Sequence, residues 1–356
     1  MLTRILFFFL VFSPAALEGS TAPCRMSSEN LSLIRDALGS WESLSREVLR
    51  LEDTSLPWMV LFDTRCTWHL APGTPRPEKA RGVKTPLVFA GEPVVVLAEP
   101  HGGEVALPDG SSRPAGEGTA FASLADDGKT PFFVLALLDV WSAQPKPVSD
   151  AEFARILRGV VSHEIVHTLQ IRDVGRRVRE LKTRYELPDR VHDDLIEELF
   201  RDEPGYREAF QKESDLFYAA TQEGDPQRRR ALIVQALDLV KKRHARYFTG
   251  SREAYREIDA LFLNMEGVAV WAAYSVARRS SDDASDGSVR GFERKHNSWS
   301  QDEGFALQLL IDDLIPNWRR RMLGEELASP FDLLEESVVG ESSKAASGTE
   351  PRKGKG

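Results

Sequence analysis

The sequence predicts an α+β fold in which a small, mostly antiparallel sheet is followed by a helical subdomain. Between Leu87 and Trp141, short apolar runs alternate with Gly, Pro and Asp turns, a pattern typical of antiparallel strands. After Pro147, apolar residues recur at helical spacing to about Trp318, almost without strand signals. Of the 356 residues, 42% are hydrophobic and 28% charged, which excludes collagen-like, coiled-coil and wholly disordered classes.

The net charge limits the possible partners of the protein, and the number of cysteines limits the possible metal ligands. The formal net charge of -9 disfavours nucleic acid as a partner, because no excess of cations is available to release counterions from phosphates. Cys24 and Cys66 are too few for a four-thiolate zinc site or a disulfide scaffold. In an oxidising compartment the pair is expected to form a disulfide, and two free buried thiols are the alternative. A metal site would therefore use nitrogen and oxygen ligands.

The N-terminal residues have the layout of a secretory signal peptide. Arg4 precedes a short apolar core, and small residues follow it. Because the apolar core is too short to span a bilayer, residues 1–22 are expected to be removed on export. Cleavage after Ala22 is favoured, with Ala15 or Ala16 as alternatives. The prediction is a secreted or periplasmic protein with no membrane span in the mature chain.

The mature chain is predicted to begin with an amphipathic helix from Leu31 to Leu51, because apolar residues recur there every three or four positions. The apolar run that starts at Pro57 predicts a buried strand, and the proline-rich stretch after Leu70 predicts a loop. With the strand-rich segment that follows, these elements make an N-terminal subdomain of residues 23–148.

The helical subdomain is predicted to cover residues 149–332. Ser149 and Glu152 have the spacing of a capping box, which satisfies free N–H groups at a helix start. Asp225, followed by proline, is a second start signal. Residues 333–356 are predicted to be a disordered tail from their composition. Further helices are predicted at about 189–202, 205–222, 226–248, 252–279 and 302–314.

The capped helix contains HEIVH at residues 163–167, an H-E-x-x-H motif. His163 and His167 project from the same helix face, so both imidazoles can bind one metal ion. They continue an apolar stripe that begins at Phe153 and therefore point toward the interior. Imidazole suits zinc, and Glu164 can face a water on the metal without being a ligand. The alternative is an accidental match or a decayed site. Four other histidines have no partner at metal-binding spacing and are not expected to be ligands: His69, His101, His192 and His244.

A catalytic zinc site needs a third protein ligand, and Glu266 is the first choice. It is the sole acidic or basic side chain within residues 261–274, where burial of an uncompensated carboxylate would be strongly unfavourable. Gly267 beside it would let another backbone, or the metal-bearing helix, approach closely. A glutamate paired with a buried arginine is the alternative. Asp173, ten residues after His163, is the rival ligand.

With these residues, the chain resembles the zincin metallopeptidases, and more narrowly the gluzincins, in which HExxH is followed by a glutamate on a later helix. The segments VVSHEIVHTLQ, LNMEGVAVWAAY and WSQDEGFALQLL also resemble parts of secreted bacterial metallopeptidase-like proteins. The resemblance covers mainly the strand before the motif, the motif helix and the Glu266 helix. It implies a zincin-like fold with one Zn2+ per chain at His163, His167 and Glu266, and Glu164 as general base and later proton donor.

Two positions depart from zincin patterns. Many gluzincins place an aspartate four residues beyond the ligand glutamate, where this chain has Val270. A supporting carboxylate would then come from Asp302 or Glu303, or be missing. The zincin branch whose third ligand matches the spacing of Asp173 needs glycine where this chain has Gln170, so Asp173 ranks second.

The resemblance implies a secreted zinc-dependent metallopeptidase that hydrolyses peptide bonds in a peptide or protein substrate. In zincins an edge strand before the motif helix binds an extended peptide, and residues 131–141 are placed to do so, with a plain core strand as the alternative. His296, Tyr255 and Tyr274 are candidates to stabilise an oxyanion. The alternative function is a non-catalytic zincin-fold binding protein with a structural or vestigial metal site.

Overall fold

The protein is a mixed α and β chain in which 56% of the residues described by the structure are helical, and this confirms the predicted α+β class. The computed structural model describes residues 23–73, 76–144, 149–280 and 289–347. The predicted signal peptide, residues 1–22, and the end of the predicted tail, residues 348–356, lie outside the described residues.

The chain forms two compact units, neither of which is one continuous segment. One unit comprises the residues up to Arg172 together with Ala272–Phe292, and the other comprises Asp173–Trp271 and the residues from Glu293 onward. This division differs from the predicted boundary between residues 148 and 149, because the chain passes from one unit to the other within helices.

The first unit begins with helix α1, Ser28–Ser43, which is extended by a π-helical turn at Leu44–Leu49. The Ser27 hydroxyl accepts a hydrogen bond from the Asn30 backbone N–H at 3.1 Å and caps the helix start. The predicted disulfide is present: Cys24 and Cys66 are bonded across 42 residues of chain. On the chain-entropy model, closing this loop stabilises the fold by roughly 4 kcal/mol.

The main sheet of the first unit has six strands in the order β3-β6-β2-β1-β10-β9. The pair β1 and β10 is parallel, and the other neighbours are antiparallel, so the sheet is mostly antiparallel as predicted. Two further hairpins pair β4 with β5 and β7 with β8. The strands are β1 Trp58–Phe62, β2 Cys66–Leu70, β3 Arg81–Gly82, β4 Val88–Phe89, β5 Glu92–Pro93, β6 Val96–Pro100, β7 Glu104–Ala106, β8 Ser112–Pro114, β9 Ala120–Leu124 and β10 Pro131–Ala136.

Strand β10 corrects one expectation. Residues 131–141 were expected to offer an edge strand to a peptide, but β10 lies inside the sheet between β1 and β9. Five of its six residues are buried, and the chain turns into helix α2, Leu138–Ser142, soon after it. The edge on this side of the sheet is β9, so the alternative of a core strand describes β10.

The helices follow the predicted order with shifted ends. The Asp225 carboxylate accepts a hydrogen bond from the Arg228 backbone N–H at 2.8 Å, so the predicted start signal there is confirmed. The remaining helices are α3 Asp150–Arg184, α4 Leu195–Phe200, α5 Pro204–Gln222, α6 Pro226–Tyr247, α7 Tyr255–Ser280, α8 Trp299–Leu314, α9 Trp318–Leu323 and α10 Pro330–Ser347.

Helix α10 corrects the predicted tail. Residues 333–347 are helical, not disordered, because Leu333 and Leu334 are fully buried and Val338 is nearly so. This apolar face packs on α6 and α8 of the second unit. The free energy gained by burying these side chains offsets the entropic cost of ordering the segment. The polar composition of the chain end had suggested that the entropic cost would be larger.

The helical stretch Gly250–Arg279 is long and apolar enough to cross a membrane, judged by length and composition alone. Of its most apolar window, 78% is buried inside the protein. A buried core helix shows the same pattern, because it too must be apolar on nearly all sides.

Candidate metal centre

Helix α3 places the two motif histidines as their spacing predicts. The Nε2 atoms of His163 and His167 lie 2.8 Å apart, and the two rings meet edge to face. His163 is half-buried and His167 is buried, so the pair lies on the interior side of the helix. Gly159, one turn earlier, brings α3 close to Ala273 of α7, where an added Cβ would lie 3.4 Å from the alanine Cβ.

Glu266, on α7, completes a group of ligand-type atoms. One atom from each of His163, His167 and Glu266 lies within 4.8 Å of the others. Glu266 is buried, as the apolar surroundings of its sequence position predicted. The rival, Asp173, instead pairs with Arg176 at 3.5 Å on its own helix and is not part of this group.

The donor set and its spacing fit zinc. Ligand atoms of a tetrahedral ion with bonds of about 2.0–2.1 Å lie about 3.3 Å from one another. The two imidazole nitrogens lie 2.8 Å apart, and all three ligand atoms lie within 4.8 Å of one another, so small side-chain movements would bring them to that spacing. The same 2.8 Å contact suits an N–H···N hydrogen bond when one Nε2 carries the ring hydrogen. Both Nε2 lone pairs become available to a metal ion when each neutral ring carries its hydrogen on Nδ1 instead.

A neighbouring helix holds the Glu266 carboxylate. The side-chain amide of Gln301, on α8, donates a hydrogen bond to Glu266 Oε2 at 3.1 Å. The two helices approach closely because Gly267 meets Gly304: a Cβ on Gly267 would lie 2.3 Å from the Gly304 carbonyl oxygen. The expectation that Gly267 admits another backbone is therefore confirmed, and the backbone is that of α8.

Glu164, the predicted general base, lies on α3 between the two motif histidines. It follows His163 directly and precedes His167 by three residues, so helical geometry directs it toward the same side as the second imidazole. Its side chain is buried, with a relative exposure of 5%. Its role as a general base stays a prediction.

Charged groups near Glu266 were not identified from the sequence. Burial raises the pKa of Asp194, and the negative charge of Glu266 raises it further. Burial lowers the pKa of Arg294, and the negative charges of Asp302 and Glu266 oppose that effect. The sequence had one signal that the helices carrying Glu266 and Gln301 approach each other closely. This signal was the glycines inside two predicted helices.

The predicted oxyanion donors have other contacts. His296 Nε2 lies 2.8 Å from a carboxylate oxygen of Asp215. The Tyr255 ring packs edge-on against Phe248 in the core of the second unit. Tyr274, in the first unit, is buried, and its ring packs against another aromatic ring. These contacts do not connect the three residues with the metal group, so their catalytic role stays a prediction.

The two carboxylates suggested as supports for the histidines have defined roles elsewhere. Asp302 accepts hydrogen bonds from the Tyr218 hydroxyl and from the backbone N–H groups of residues 294 and 296. Glu303 lies 3.8 Å from the guanidinium of Arg243, which is also bonded to Glu213 and Asp259. These carboxylates stabilise a loop and a buried ion cluster respectively.

A second group of ligand-type atoms comes from three consecutive residues, His192, Asp193 and Asp194. The histidine was not expected to be a ligand, and its Nε2 lies 3.2 Å from Glu198. The group is partly exposed, and its members are neighbours in the chain, which brings such atoms together without any metal. It therefore carries less weight than the buried group on α3 and α7.

Comparison of the chain with models of known protein families, with curated proteins and with solved structures gives no match. The residues of the site themselves thus carry the functional argument.

Proposed function

We propose that this protein is an exported zinc-dependent metallopeptidase of the zincin type, with a gluzincin-like ligand set of His163, His167 and Glu266. The observation that carries the proposal is the convergence of these three ligand atoms within 4.8 Å. Two imidazoles and one carboxylate leave a position open for water or substrate in a four-coordinate ion. A zinc ion bound there would polarise a scissile carbonyl and lower the pKa of a water.

The residues around the ion divide the remaining work. Glu164 takes the proton from the attacking water and returns it to the leaving amine, which requires a buried carboxylate beside the ligands. Gln301 orients the Glu266 carboxylate by donating a hydrogen bond to its Oε2 atom. The Cys24–Cys66 disulfide supports an oxidising compartment, in agreement with the proposed signal peptide.

The first test is metal content. Protein is purified from zinc-containing medium and dialysed against metal-free buffer. Inductively coupled plasma mass spectrometry should then find about one zinc per chain. His167→Ala should lose this zinc, whereas the control His101→Ala, at a half-buried histidine bonded to the Asp63 carbonyl oxygen, should keep it. Zinc-free wild-type protein, or equal zinc in both variants, would remove the basis of the proposal.

The second candidate function is a non-catalytic binding protein that uses the same ion as a structural element. Val270, which is buried where many gluzincins have an aspartate, favours this candidate because it cannot support a ligand histidine. Zinc without hydrolysis of any member of a broad peptide library would favour it. Cleavage that is lost in Glu164→Gln would reject it.

A further inference from the structure

The segment 293–298, directly before α8, has a strained backbone. Lys295, His296 and Ser298 have positive φ angles of 52°, 63° and 50°, although none is glycine. Such residues are disfavoured in this conformation and persist where surrounding contacts fix them, often at ligand-binding sites. Three of them within four residues indicate a segment whose shape is imposed by its contacts.

The contacts that impose this shape come mainly from one buried carboxylate. The carboxylate of Asp302 is fully buried and accepts backbone hydrogen bonds from Arg294 at 2.7 Å and from His296 at 2.8 Å. The Tyr218 hydroxyl donates to the same carboxylate at 3.1 Å. At the end of the segment, Glu197 accepts the Trp299 backbone N–H at 3.0 Å. The backbone around Arg294 is therefore held rigidly.

The fixed segment presents the Arg294 side chain. Its guanidinium makes no hydrogen bond or ion pair with any of the residues that the structure describes, and the residue is exposed to solvent. Its backbone N–H is bonded to Asp302, and Gln301, the residue before Asp302, donates a hydrogen bond to Glu266, so the segment lies close to that proposed ligand. An arginine stays protonated throughout the physiological pH range, so Arg294 is a cation near a proposed zinc ligand.

We propose that Arg294 is a substrate-binding residue that holds a carboxylate of the peptide beside the metal centre. This inference rests on the proposed function and assigns its substrate class, peptides that carry a carboxylate close to the scissile bond. A guanidinium forms two parallel hydrogen bonds to a carboxylate, which fixes direction as well as charge. The rigid backbone of the segment lowers the entropy lost when the side chain binds its ligand.

A carboxylate near the scissile bond has two sources, the C-terminus of the peptide and an acidic side chain. Four N-acetylated tetrapeptides separate them: Ala-Ala-Ala-Ala as the free acid and as the amide, and Ala-Ala-Asp-Ala and Ala-Ala-Asn-Ala, both as amides. Binding is measured by calorimetry on the zinc-loaded Glu164→Gln protein, which slows turnover. The same titrations are run on the Arg294→Gln and Arg294→Lys forms of that protein.

We expect Arg294→Gln to weaken binding of at least one carboxylate peptide by about tenfold or more, and binding of its neutral partner by less than twofold. Arg294→Lys should restore part of the loss, since it keeps the charge without the paired donors. The control Lys295→Gln removes an exposed cation next to Arg294 in the same segment and should leave all four affinities within twofold.

Three results would overturn the inference. They are equal losses of affinity for acid and neutral peptides, equal losses of affinity in Lys295→Gln, and no measurable binding of any peptide. Failure of the proposed function is a separate result. If the protein binds no zinc but shows Arg294-dependent binding of a carboxylate peptide without metal, the anion site is supported and the peptidase is contradicted. If the protein binds zinc and cleaves peptides without dependence on Arg294, the peptidase is supported and only this inference is contradicted.

Discussion

Two buried groups of charged side chains are compensated in different ways. In the second unit, Arg243 is fully buried, and its guanidinium contacts Glu213 at 2.5 Å, Asp259 at 2.9 Å and the Tyr206 hydroxyl. We name these four residues, with Glu303, the Arg243 cluster. There the chain supplies its own cation, and attraction to it keeps the pKa of Asp259 below the usual range despite burial.

The metal group has a different composition. His163, His167 and Glu266 bring two imidazoles and a carboxylate together, and Gln301, which donates to Glu266, is a neutral amide. Two imidazolium rings whose Nε2 atoms lie 2.8 Å apart would repel each other. The pair is therefore better suited to bind one external cation than to bind two additional protons. The comparison teaches that buried carboxylates alone do not mark a metal site. The two groups differ in composition: in the metal group two imidazoles lie beside one carboxylate, whereas in the Arg243 cluster a guanidinium contacts two carboxylates, one of which also contacts His244.

The largest effect is expected for Glu164→Gln, which removes the proposed base and keeps the ligands. The rate of peptide hydrolysis should fall by about 100-fold to 10,000-fold, because proton transfer is lost while zinc remains bound. Initial rates on the best peptide from a library measure the loss, and zinc content checks the ligands. Glu208→Gln, at an exposed glutamate on α5, is the matched control and should retain full activity. Activity within threefold of wild type in Glu164→Gln would contradict the assignment.

The internal cation of the Arg243 cluster is tested by stability. Arg243→Met should lower the free energy of unfolding by about 3–5 kcal/mol, because it leaves buried carboxylates without their cation. Urea unfolding of metal-free protein measures this, with Arg246→Met, an exposed position on the same helix, as control. In the same metal-free protein, His167→Ala should cost less than Arg243→Met. The reverse order would show that the two groups are not compensated as described.

Support of the third ligand is tested with Gln301→Ala. Loss of the hydrogen bond to Glu266 should weaken zinc affinity by about 10-fold to 100-fold, because the carboxylate becomes free to rotate away from the ion. Competition with a chromogenic chelator measures the affinity. Gln222→Ala, at an exposed glutamine at the end of α5, should have no effect. Unchanged affinity in Gln301→Ala would mean that the amide does not orient the ligand.

The smallest effect concerns the pH dependence of the Arg243 cluster. Burial raises the pKa of Glu213 to about 7, and burial together with repulsion from Glu213 raises that of Glu303. Both carboxyls bind protons more tightly in the folded protein than in the unfolded chain. Their stabilising contribution is therefore present below about pH 4.5 and is lost as pH rises through the folded pKa.

Glu303→Gln should remove part of this dependence. Its stability relative to wild type should increase between pH 5 and pH 8, by no more than about 1.4 kcal/mol per pH unit for one proton. Urea unfolding at four pH values measures the trend, and Glu208→Gln provides the exposed comparison. A difference that is constant with pH would show that Glu303 has the same pKa in both states.

The metal group could be predicted because its signals are local. The spacing of His163 and His167 depends only on helical periodicity, and Glu266 stood out as a single charge in an apolar run. Gly267 predicted the close approach of another backbone to α7, but it did not identify α8 as the partner. Which residue of α8 would meet Glu266 depended on the crossing of two helices distant in sequence, so Gln301 and Arg294 were missed.

The corrected elements also depend on distant partners. Strand β10 is internal because it pairs in parallel with β1, some seventy residues earlier, and β9 covers its other side. Its apolar run was equally compatible with an edge or a centre. Helix α10 was obscured by the polar residues after it, although Leu333, Leu334 and Val338 already had the spacing of a buried face.

The most direct test is the anomalous scattering of a crystal of the zinc-loaded protein, measured on both sides of the zinc absorption edge. We expect one strong peak at a distance of about 2.0–2.2 Å from nitrogen atoms of His163 and His167 and from a carboxylate oxygen of Glu266. A peak at His192, Asp193 and Asp194 alone, or no ordered peak near the two motif histidines, would contradict the account.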